Sequence, residues 1–241
     1  QVRQVIHLAF VLDPLRTGSL TRERQWEINV RGTDHLLQAI EQANQPRRRV
    51  DLLLYPSSVT TYGPLLSAPV DENHPQQPHT YTYALHKKET EDLCRARHPR
   101  LNGCAVYVLR GHIFLGQDVD NFIVRALRGL PSTRTWFGRA LGRVGLRLPL
   151  LFPRDPKYRG LYQFMHIEDA ARLLAWILRR YEPGKLEILN AQGRGEPLSG
   201  VDCARLTGRR LLRLPSYRLV GFLYRLSWAM GFSPVPGEAF P

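Results

Sequence analysis

The chain has 241 residues, of which 43% are hydrophobic and 23% are charged, and its formal net charge at pH 7 is +13. This composition can bury a core and excludes a disordered chain, and the length fits one large domain or a domain with a smaller lobe. We expect no transmembrane segment, because no run of about 18 apolar residues occurs, and we recognise no signal peptide at the start.

The cysteines and histidines narrow the class of protein further. Cys94, Cys104 and Cys203 are widely spaced and include no Cys-x-x-Cys pair. A reducing compartment explains such cysteines most simply, so the sequence predicts a cytoplasmic protein. The eight histidines form no metal-binding spacing with each other or with cysteine, and we therefore predict no metal site.

The basic charge has two interpretations. It is typical of proteins that attract polyanions or anionic lipid, and it is equally typical of a solvated, arginine-rich surface. Arginine is scattered through the chain, and neither a nucleic-acid motif nor interleaved aromatic residues accompany it. This pattern favours the solvated surface, and no nucleic-acid partner is expected.

Apolar runs and helical patterns alternate along the chain. The predicted strands cover 5–10, 51–55, 104–109 and 185–190. The predicted helices cover 21–44, with Thr21 as N-cap, and 81–98, 118–130 and 166–181. Prolines mark 64–80 as a loop, and prolines and arginines punctuate an insertion over 131–163. Strands that alternate with helices predict an α/β fold with a parallel sheet.

A candidate catalytic group lies around the helix 81–98. Tyr83 and Lys87 stand four residues apart, so their side chains share one helix face. A free phenol has a pKa of about 10, too high for a base at neutral pH, and a neighbouring cation lowers it. Such a pair can act as a general acid–base on an alcohol or carbonyl. Ser58, which follows the strand 51–55, can hydrogen-bond the same substrate oxygen, so we predict that Ser58, Tyr83 and Lys87 are catalytic.

Five segments around these residues resemble, in their order, the extended short-chain dehydrogenase/reductase family, and within it the NAD-dependent epimerase/dehydratase group. They are VIHLA at 5–9, NVRGT at 29–33, YPSSVTTYG at 55–63, LRGHIFLG at 109–116 and FMHIEDA at 164–170. The resemblance implies a Rossmann-like parallel sheet flanked by helices, N-terminally incomplete, with a small C-terminal substrate lobe.

One element of the family is missing from the sequence. In the family, a first strand leads into a Gly-x-x-Gly-x-x-Gly turn and a helix that holds the cofactor pyrophosphate. None of the 19 glycines forms that turn here, so the resemblance implies an N-terminally truncated chain or a late gene start. Residues 1–130 would then be the remainder of the dinucleotide-binding domain, with the catalytic residues. Residues 131–241 would supply mixed segments of the substrate lobe, with 164–190 returning to the main domain.

The resemblance implies NAD or NADP as the cofactor. It does not separate the two, because the residue that reads the ribose 2′-hydroxyl belongs to the missing part. It also implies that Tyr83 and Lys87 contact the cofactor and that further residues line it. These are Leu8, Ala9, Phe10, Asn29 and, near the nicotinamide, His112. Taken alone, a histidine at position 112 is more often a surface or core residue than a cofactor contact.

Two departures from the family bear on the substrate. Ile113 stands where members that act on nucleotide sugars carry Asn, and Tyr162 and Gln163 stand where they tend to carry Arg. Both changes remove polar contacts to a nucleotide diphosphate. A smaller or more apolar alcohol, ketone or aldehyde is therefore favoured at least as strongly as a sugar-related substrate.

The predicted function is an NAD(P)-dependent oxidoreductase, epimerase or dehydratase that moves a proton and a hydride on a small-molecule substrate. The alternative is a relative that binds a dinucleotide or a partner protein without turnover. Homodimer formation is left open. The amphipathic stretch 217–230 is interpreted as a lid helix of the substrate lobe in preference to a basic, aromatic membrane-surface helix.

Overall fold

The computed structural model describes residues 2–11, 20–47, 49–64, 66, 69–154 and 160–239. Two compact units divide the chain. The first contains the described residues within Gln1–Leu12, Leu20–His112 and Met165–Gly193, and the second contains those within Ile113–Phe164 and Arg194–Pro241. The functional division at position 130 stays a prediction.

The described residues form ten strands and eight α-helices. The strands are β1 (Gln4–Ile6), β2 (Leu52–Ser58), β3 (Ala105–Gly111), β4 (Ile113–Leu115), β5 (Leu150–Pro153), β6 (Leu161–Tyr162), β7 (Phe164–His166), β8 (Leu186–Ala191), β9 (Leu198–Ser199) and β10 (Leu211–Leu214). The α-helices are α1 (Arg22–Trp26), α2 (Gly32–Ala43), α3 (Thr82–Arg97), α4 (Phe122–Leu127), α5 (Trp136–Arg143), α6 (Ile167–Arg180), α7 (Gly200–Leu206) and α8 (Tyr217–Ala229).

Four strands of the first unit form one parallel sheet in the order β1-β2-β3-β8. The central strands β2 and β3 are almost entirely buried, and such strands need helices on both faces of the sheet. Successive side chains of β2 alternate between the faces. Leu53 and Tyr55 pack into one core with α2 and α3, whereas Leu52 and Leu54 pack into another with α6. The predicted α/β fold with a parallel sheet is confirmed.

β1 is shorter than the predicted strand over 5–10. Its pairing continues to His7, whose backbone N–H donates to the Leu54 carbonyl at 2.9 Å. Further along, the backbone bonds to a side chain, because the Val11 N–H donates to the Asn29 Oδ1 atom at 2.7 Å. A side-chain amide thus replaces the neighbouring strand as the backbone partner, and the strand ends early.

The predicted helix over 21–44 is confirmed as a nearly continuous helical segment. Thr21 caps it, because its Oγ1 atom accepts a hydrogen bond from the Arg24 N–H at 3.1 Å. Between α1 and α2, Glu27–Arg31 forms a π-helical turn in which Asn29 and Val30 are buried. Such turns often occur at functional positions, and this one places Asn29 at the loop after β1.

The second unit contains two small sheets. β5 pairs with β10 in parallel, and β6 pairs with β9 in antiparallel orientation. α7 begins with a capping box in which Ser199 and Asp202 satisfy each other's backbone N–H groups. The described residues of the predicted insertion over 131–163 contain α5, β5 and β6. Within the described part of the chain, no helix is both long enough and apolar enough to cross a membrane.

Candidate functional site

The three residues predicted as catalytic lie in the first unit, where β2 ends and α3 begins. Ser58 is the last residue of β2, and Tyr83 and Lys87 stand in the first two turns of α3. A hydrogen bond joins the side chains of Ser58 and Tyr83. Ser58 also caps the following 3₁₀ turn, because its Oγ atom accepts from the Thr60 N–H at 3.2 Å. The fold therefore fixes the serine beside the tyrosine phenol.

Lys87 is only 5% exposed, although it carries an amino group. Its Nζ atom donates a hydrogen bond of 2.6 Å to the Pro56 carbonyl on β2. Aromatic rings lie around it: Nζ is 3.8 Å from the ring centroid of Phe10, 4.6 Å from that of Tyr55 and 5.8 Å from that of Tyr83. Ring faces attract a cation within about 6 Å of the centroid, so these contacts compensate part of the lost hydration.

Burial sets the direction of both pKa shifts at the site. It lowers the pKa of Lys87 from 10.5 to about 7, and the nearby Glu91 carboxylate counteracts part of this effect. It raises the pKa of Tyr83 to about 12, while the hydrogen bond with Ser58 acts in the opposite direction. The sequence predicts that Lys87 lowers the pKa of Tyr83. Burial outweighs the hydrogen bond and raises the pKa of the phenol, so an effect of Lys87 on that pKa stays a prediction. The lysine loses part of its charge at neutral pH.

The loop after β1 carries three residues that are predicted to line the cofactor. Leu8 is 66% exposed, and Ala9 is exposed beside it. The ring of Phe10 meets that of Tyr83 edge to face, with the centroids 5.7 Å apart. The structure thus brings Phe10 to the lysine and the tyrosine, while Leu8 and Ala9 face solvent.

Asn29 holds the shape of this loop. Its Nδ2 atom donates to the Val11 carbonyl at 2.9 Å, and its Oδ1 atom accepts from the Val11 N–H at 2.7 Å. The same Nδ2 atom lies 3.3 Å from Nδ1 of His86, the residue before Lys87. Because both amide atoms bond the protein itself, Asn29 positions Phe10 through the backbone. A direct contact between Asn29 and the cofactor stays a prediction.

His112 follows β3 directly and is attached to the end of β8. Its Nδ1 atom lies 3.1 Å from the Ala191 carbonyl oxygen, and its backbone N–H donates to the same oxygen at 3.2 Å. Burial lowers the pKa of His112, so the neutral ring is favoured at pH 7. Its predicted place near the nicotinamide is untested by these contacts.

A buried charge pair, which the sequence did not reveal, ties α3 to the sheet. Arg110 on β3 and Glu91 on α3 are 1% and 0% exposed, and an Arg110 Nη2 to Glu91 Oε2 distance of 2.7 Å joins them. Glu91 also accepts a hydrogen bond from the hydroxyl of Ser57. Arg110 donates to the Tyr62 hydroxyl at 2.6 Å. The pair therefore joins α3 to both central strands next to the catalytic candidates.

One feature of the sequence could have indicated half of this pair. Glu91 stands four residues after Lys87, a spacing that places two side chains on the same face of a helix. Nothing comparable indicated Arg110 as its partner, because the two positions are 19 residues apart and lie on different elements. In the whole described part of the chain, no group of three or more His, Cys, Asp or Glu side chains could hold a metal ion.

Solved structures share this architecture. A mutant of UDP-glucuronic acid 4-epimerase from Bacillus cereus, with UDP-4-deoxy-4-fluoro-glucuronic acid and NAD, matches 90% of this chain and 63% of its own, with a TM-score of 0.64 and 21% identity. UDP-glucose 4-epimerase from Bifidobacterium longum, with NAD+ and UDP, matches 89% of this chain and 65% of its own. The TM-score is 0.64 and the sequence identity is 17%. MoeE5, with UDP-glucuronic acid and NAD, matches 88% of this chain and 66% of its own, with a TM-score of 0.62 and 25% sequence identity. These likenesses confirm the Rossmann-like fold.

The chain corresponds to part of each solved structure. The chain spans between 63% and 66% of the length of the three solved structures. No curated protein matches it. The model of the NAD dependent epimerase/dehydratase family matches residues 1–191, which is more than half of the chain. With the parallel sheet and the five sequence segments, this match leads to one conclusion: the chain belongs to the NAD dependent epimerase/dehydratase family.

Proposed function

We propose that the chain carries the catalytic residues of an NAD(P)-dependent oxidoreductase, epimerase or dehydratase that acts on an alcohol or carbonyl group. The observation that carries the proposal is the arrangement of Ser58, Tyr83 and Lys87 within one unit. The serine is hydrogen-bonded to the tyrosine, and the lysine Nζ atom lies 5.8 Å from the ring centroid of that tyrosine. A proton donor, an oxygen-positioning group and a titratable cation are therefore in one place.

The surroundings of Lys87 fit the ribose of a dinucleotide. An ammonium has three N–H donors, and among the described residues one bonds the Pro56 carbonyl while the rings of Phe10 and Tyr55 lie around the others. Buried donors without full hydrogen bonding are costly, and ribose hydroxyl oxygens would accept from them. Lys87 and Tyr83 would therefore hold NAD or NADP, whose nicotinamide accepts or returns a hydride when bound.

Tyr83 is the proton-transfer group in this proposal. Because its pKa is raised to about 12, the phenol keeps its proton at neutral pH and can donate it to a substrate carbonyl oxygen. In the reverse direction the phenolate takes the proton of a substrate alcohol, and a positive charge on Lys87 favours the phenolate. Ser58 positions the same substrate oxygen by a hydrogen bond.

Two substrate classes fit the proposal. The solved relatives hold UDP or UDP-sugars, which makes a sugar nucleotide the first class to test. Ile113, Tyr162 and Gln163 favour a smaller or more apolar alcohol, ketone or aldehyde. In the second unit, Tyr162 packs against Phe152 and Phe164 at centroid distances of 6.2 and 6.3 Å. Burial raises the pKa of Tyr162, so this neutral phenol brings no charge to a diphosphate.

The test is turnover by the natural gene product with NAD and with NADP. One set of substrates contains UDP-glucose and UDP-glucuronic acid, and the other contains apolar secondary alcohols and their ketones. Reduced cofactor is followed by absorbance, and epimers are separated by chromatography. We expect cofactor-dependent conversion in at least one set. Cofactor binding without any conversion would favour a relative that binds without turnover, and the absence of both would contradict the proposal.

A further inference from the structure

We propose that the second unit docks on anionic membrane lipid through a surface built on α5. The α5 surface consists of the apolar residues Trp136, Phe137, Val144 and Leu146 and of the basic residues Arg139, Arg143 and Arg147. Trp136 and Val144 are 73% and 78% exposed, and Phe137 and Leu146 are 39% and 44% exposed. Several large apolar side chains exposed at neighbouring positions indicate an interaction site. This surface is independent of the proposed reaction.

The packing of α5 explains why its apolar side chains are exposed. Gly138 is the buried residue of this helix, and a Cβ atom there would lie 2.1 Å from the Ser132 carbonyl oxygen, so the helix approaches its unit through a glycine. Trp136, Ala140 and Val144 follow at spacings of four and form a row along a different side of the helix. In a helix that stabilises a core, the apolar side is the buried one. In this helix Phe137 packs against Phe232 at a centroid distance of 5.3 Å, whereas Trp136 and Val144 stay largely exposed.

The sequence around α5 carries charge of one sign. The sequence over 121–154 contains seven arginines and neither an acidic residue nor a lysine. The acidic Asp120 just before this stretch pairs with Arg125 at 3.4 Å. The three arginines of the α5 surface are exposed. Arg134, in contrast, belongs to the fold, because its guanidinium group lies 4.4 Å from the ring centroid of Trp228 and donates to the carbonyl of that residue. Arg139 also donates to the Thr133 carbonyl at 3.0 Å but stays exposed. The α5 surface therefore has three exposed guanidinium groups near an exposed tryptophan.

Anionic lipid fits this combination better than a soluble polyanion does. Phosphate groups alone would engage the arginines and gain nothing from exposed Val144 and Leu146. At a bilayer, apolar side chains enter the boundary of the acyl chains while arginines meet the headgroups. The apolar area also continues beyond α5, because Thr135 donates to the Gly231 carbonyl at 3.2 Å, and Met230 beside it is 51% exposed.

The test measures binding of the 241-residue chain to vesicles. One kind contains phosphatidylcholine with phosphatidylserine, and the other contains phosphatidylcholine alone. We expect the chain to sediment with the first kind only, and added salt should weaken the binding because it screens the arginines. Brominated acyl chains should quench the fluorescence of Trp136, which is isolated by subtracting the signal of a Trp136→Ser variant.

Two variants separate the apolar from the basic contribution. Trp136→Ser combined with Val144→Ser should lose the quenching and most of the binding. A triple variant with Arg139→Gln, Arg143→Gln and Arg147→Gln should bind about a hundredfold more weakly, because each arginine near an anionic surface adds to the attraction. Circular dichroism and urea unfolding check that both variants keep the wild-type fold.

Matched controls make the same changes in the first unit. Trp176→Ser alters a tryptophan of α6 that is 58% exposed. A triple variant with Arg31→Gln, Arg95→Gln and Arg100→Gln removes three exposed charges. Both controls should bind vesicles nearly as wild type does.

Three results would overturn the proposal. The first is a wild-type chain that does not bind the phosphatidylserine vesicles. The second is binding that both α5 variants retain. The third is a pair of findings: the arginine variant loses binding while the Trp136→Ser, Val144→Ser variant keeps it, and Trp136 of the wild-type chain is not quenched. This result would indicate a surface for soluble polyanions instead of lipid.

Discussion

Lys87 is the residue at which the chemistry of the site conflicts with stability. Burial lowers its pKa from 10.5 to about 7. Between these values the unfolded chain binds more protons at this lysine than the folded chain does, so the unfolding free energy rises with pH across the window. At pH 7 and below, burial of the Lys87 ammonium lowers the unfolding free energy by most of its full effect. Above the unfolded pKa this effect disappears.

Lys87→Met should remove this pH dependence and stabilise the protein at pH 7 and below, because methionine keeps an unbranched side chain without the charge. Urea unfolding near pH 7 and near pH 10 measures the effect. Lys88→Met is the matched control, since the neighbouring Lys88 pairs with Asp92 at 2.6 Å and is less buried. If wild type and Lys87→Met show the same change of stability with pH, Lys87 is not buried as described.

The identities of the catalytic candidates could be predicted from the sequence, whereas their proton affinities could not. Tyr83 and Lys87 are related by local helix spacing, and Ser58 ends an apolar strand, so short-range patterns are enough. The pKa of Lys87 depends on burial under Phe10 and Tyr55, which come from other elements. Only the tertiary structure determines that burial.

At the scale of elements, the ion pair of Glu91 and Arg110 attaches α3 to the central strands. Glu91→Gln would leave the Arg110 guanidinium buried without its charge partner, which costs about 3–5 kcal/mol of unfolding free energy in comparable sites. Urea unfolding measures this loss. Asp92→Asn, at the next position of α3, removes a partly exposed pair with Lys88 and should cost less than about 1 kcal/mol. Equal losses in the two variants would contradict the importance of the buried pair.

The apolar pattern of the sequence predicts the elements of the buried core well. It predicts less well those elements whose ends or partners depend on residues far away in the sequence. β2 and β3 begin as apolar runs and α6 has a clear amphipathic pattern, so each appears close to its predicted range. The end of β1 depends on the Asn29 side chain, 18 residues further along the chain. β5 pairs with β10, which follows much later in the sequence, and local patterning cannot reveal such a partner.

At the scale of the whole molecule, β1 lies at the margin of the described sheet, and exposed apolar side chains occur in it and in the residues on either side of it. Val2, Ile6 and Leu8 are 65%, 36% and 66% exposed. An edge strand with such side chains is a template for pairing with another chain. We therefore expect the purified 241-residue chain to associate as its concentration rises, which light scattering and sedimentation velocity measure.

A charge on the edge should reduce this association. Ile6→Lys places a lysine beside the exposed edge, a device that natural edge strands use against pairing. Leu161→Lys is the control, because Leu161 is 55% exposed in the second unit, away from β1 in sequence and sheet. A wild-type chain that stays monomeric at every concentration, or equal effects of both variants, would show that β1 does not mediate contacts between chains.

The central proposal is that Tyr83 transfers the proton, and turnover of Tyr83→Phe tests it most directly. Phenylalanine keeps the ring that packs against Phe10 and Tyr81 and removes the hydroxyl alone. In the natural gene product with saturating cofactor, we expect kcat to fall about 10²–10⁴-fold, the usual contribution of one general acid–base. Tyr81→Phe, which removes a hydroxyl two positions away, should stay near wild type. Turnover of Tyr83→Phe that matches Tyr81→Phe would contradict the assignment.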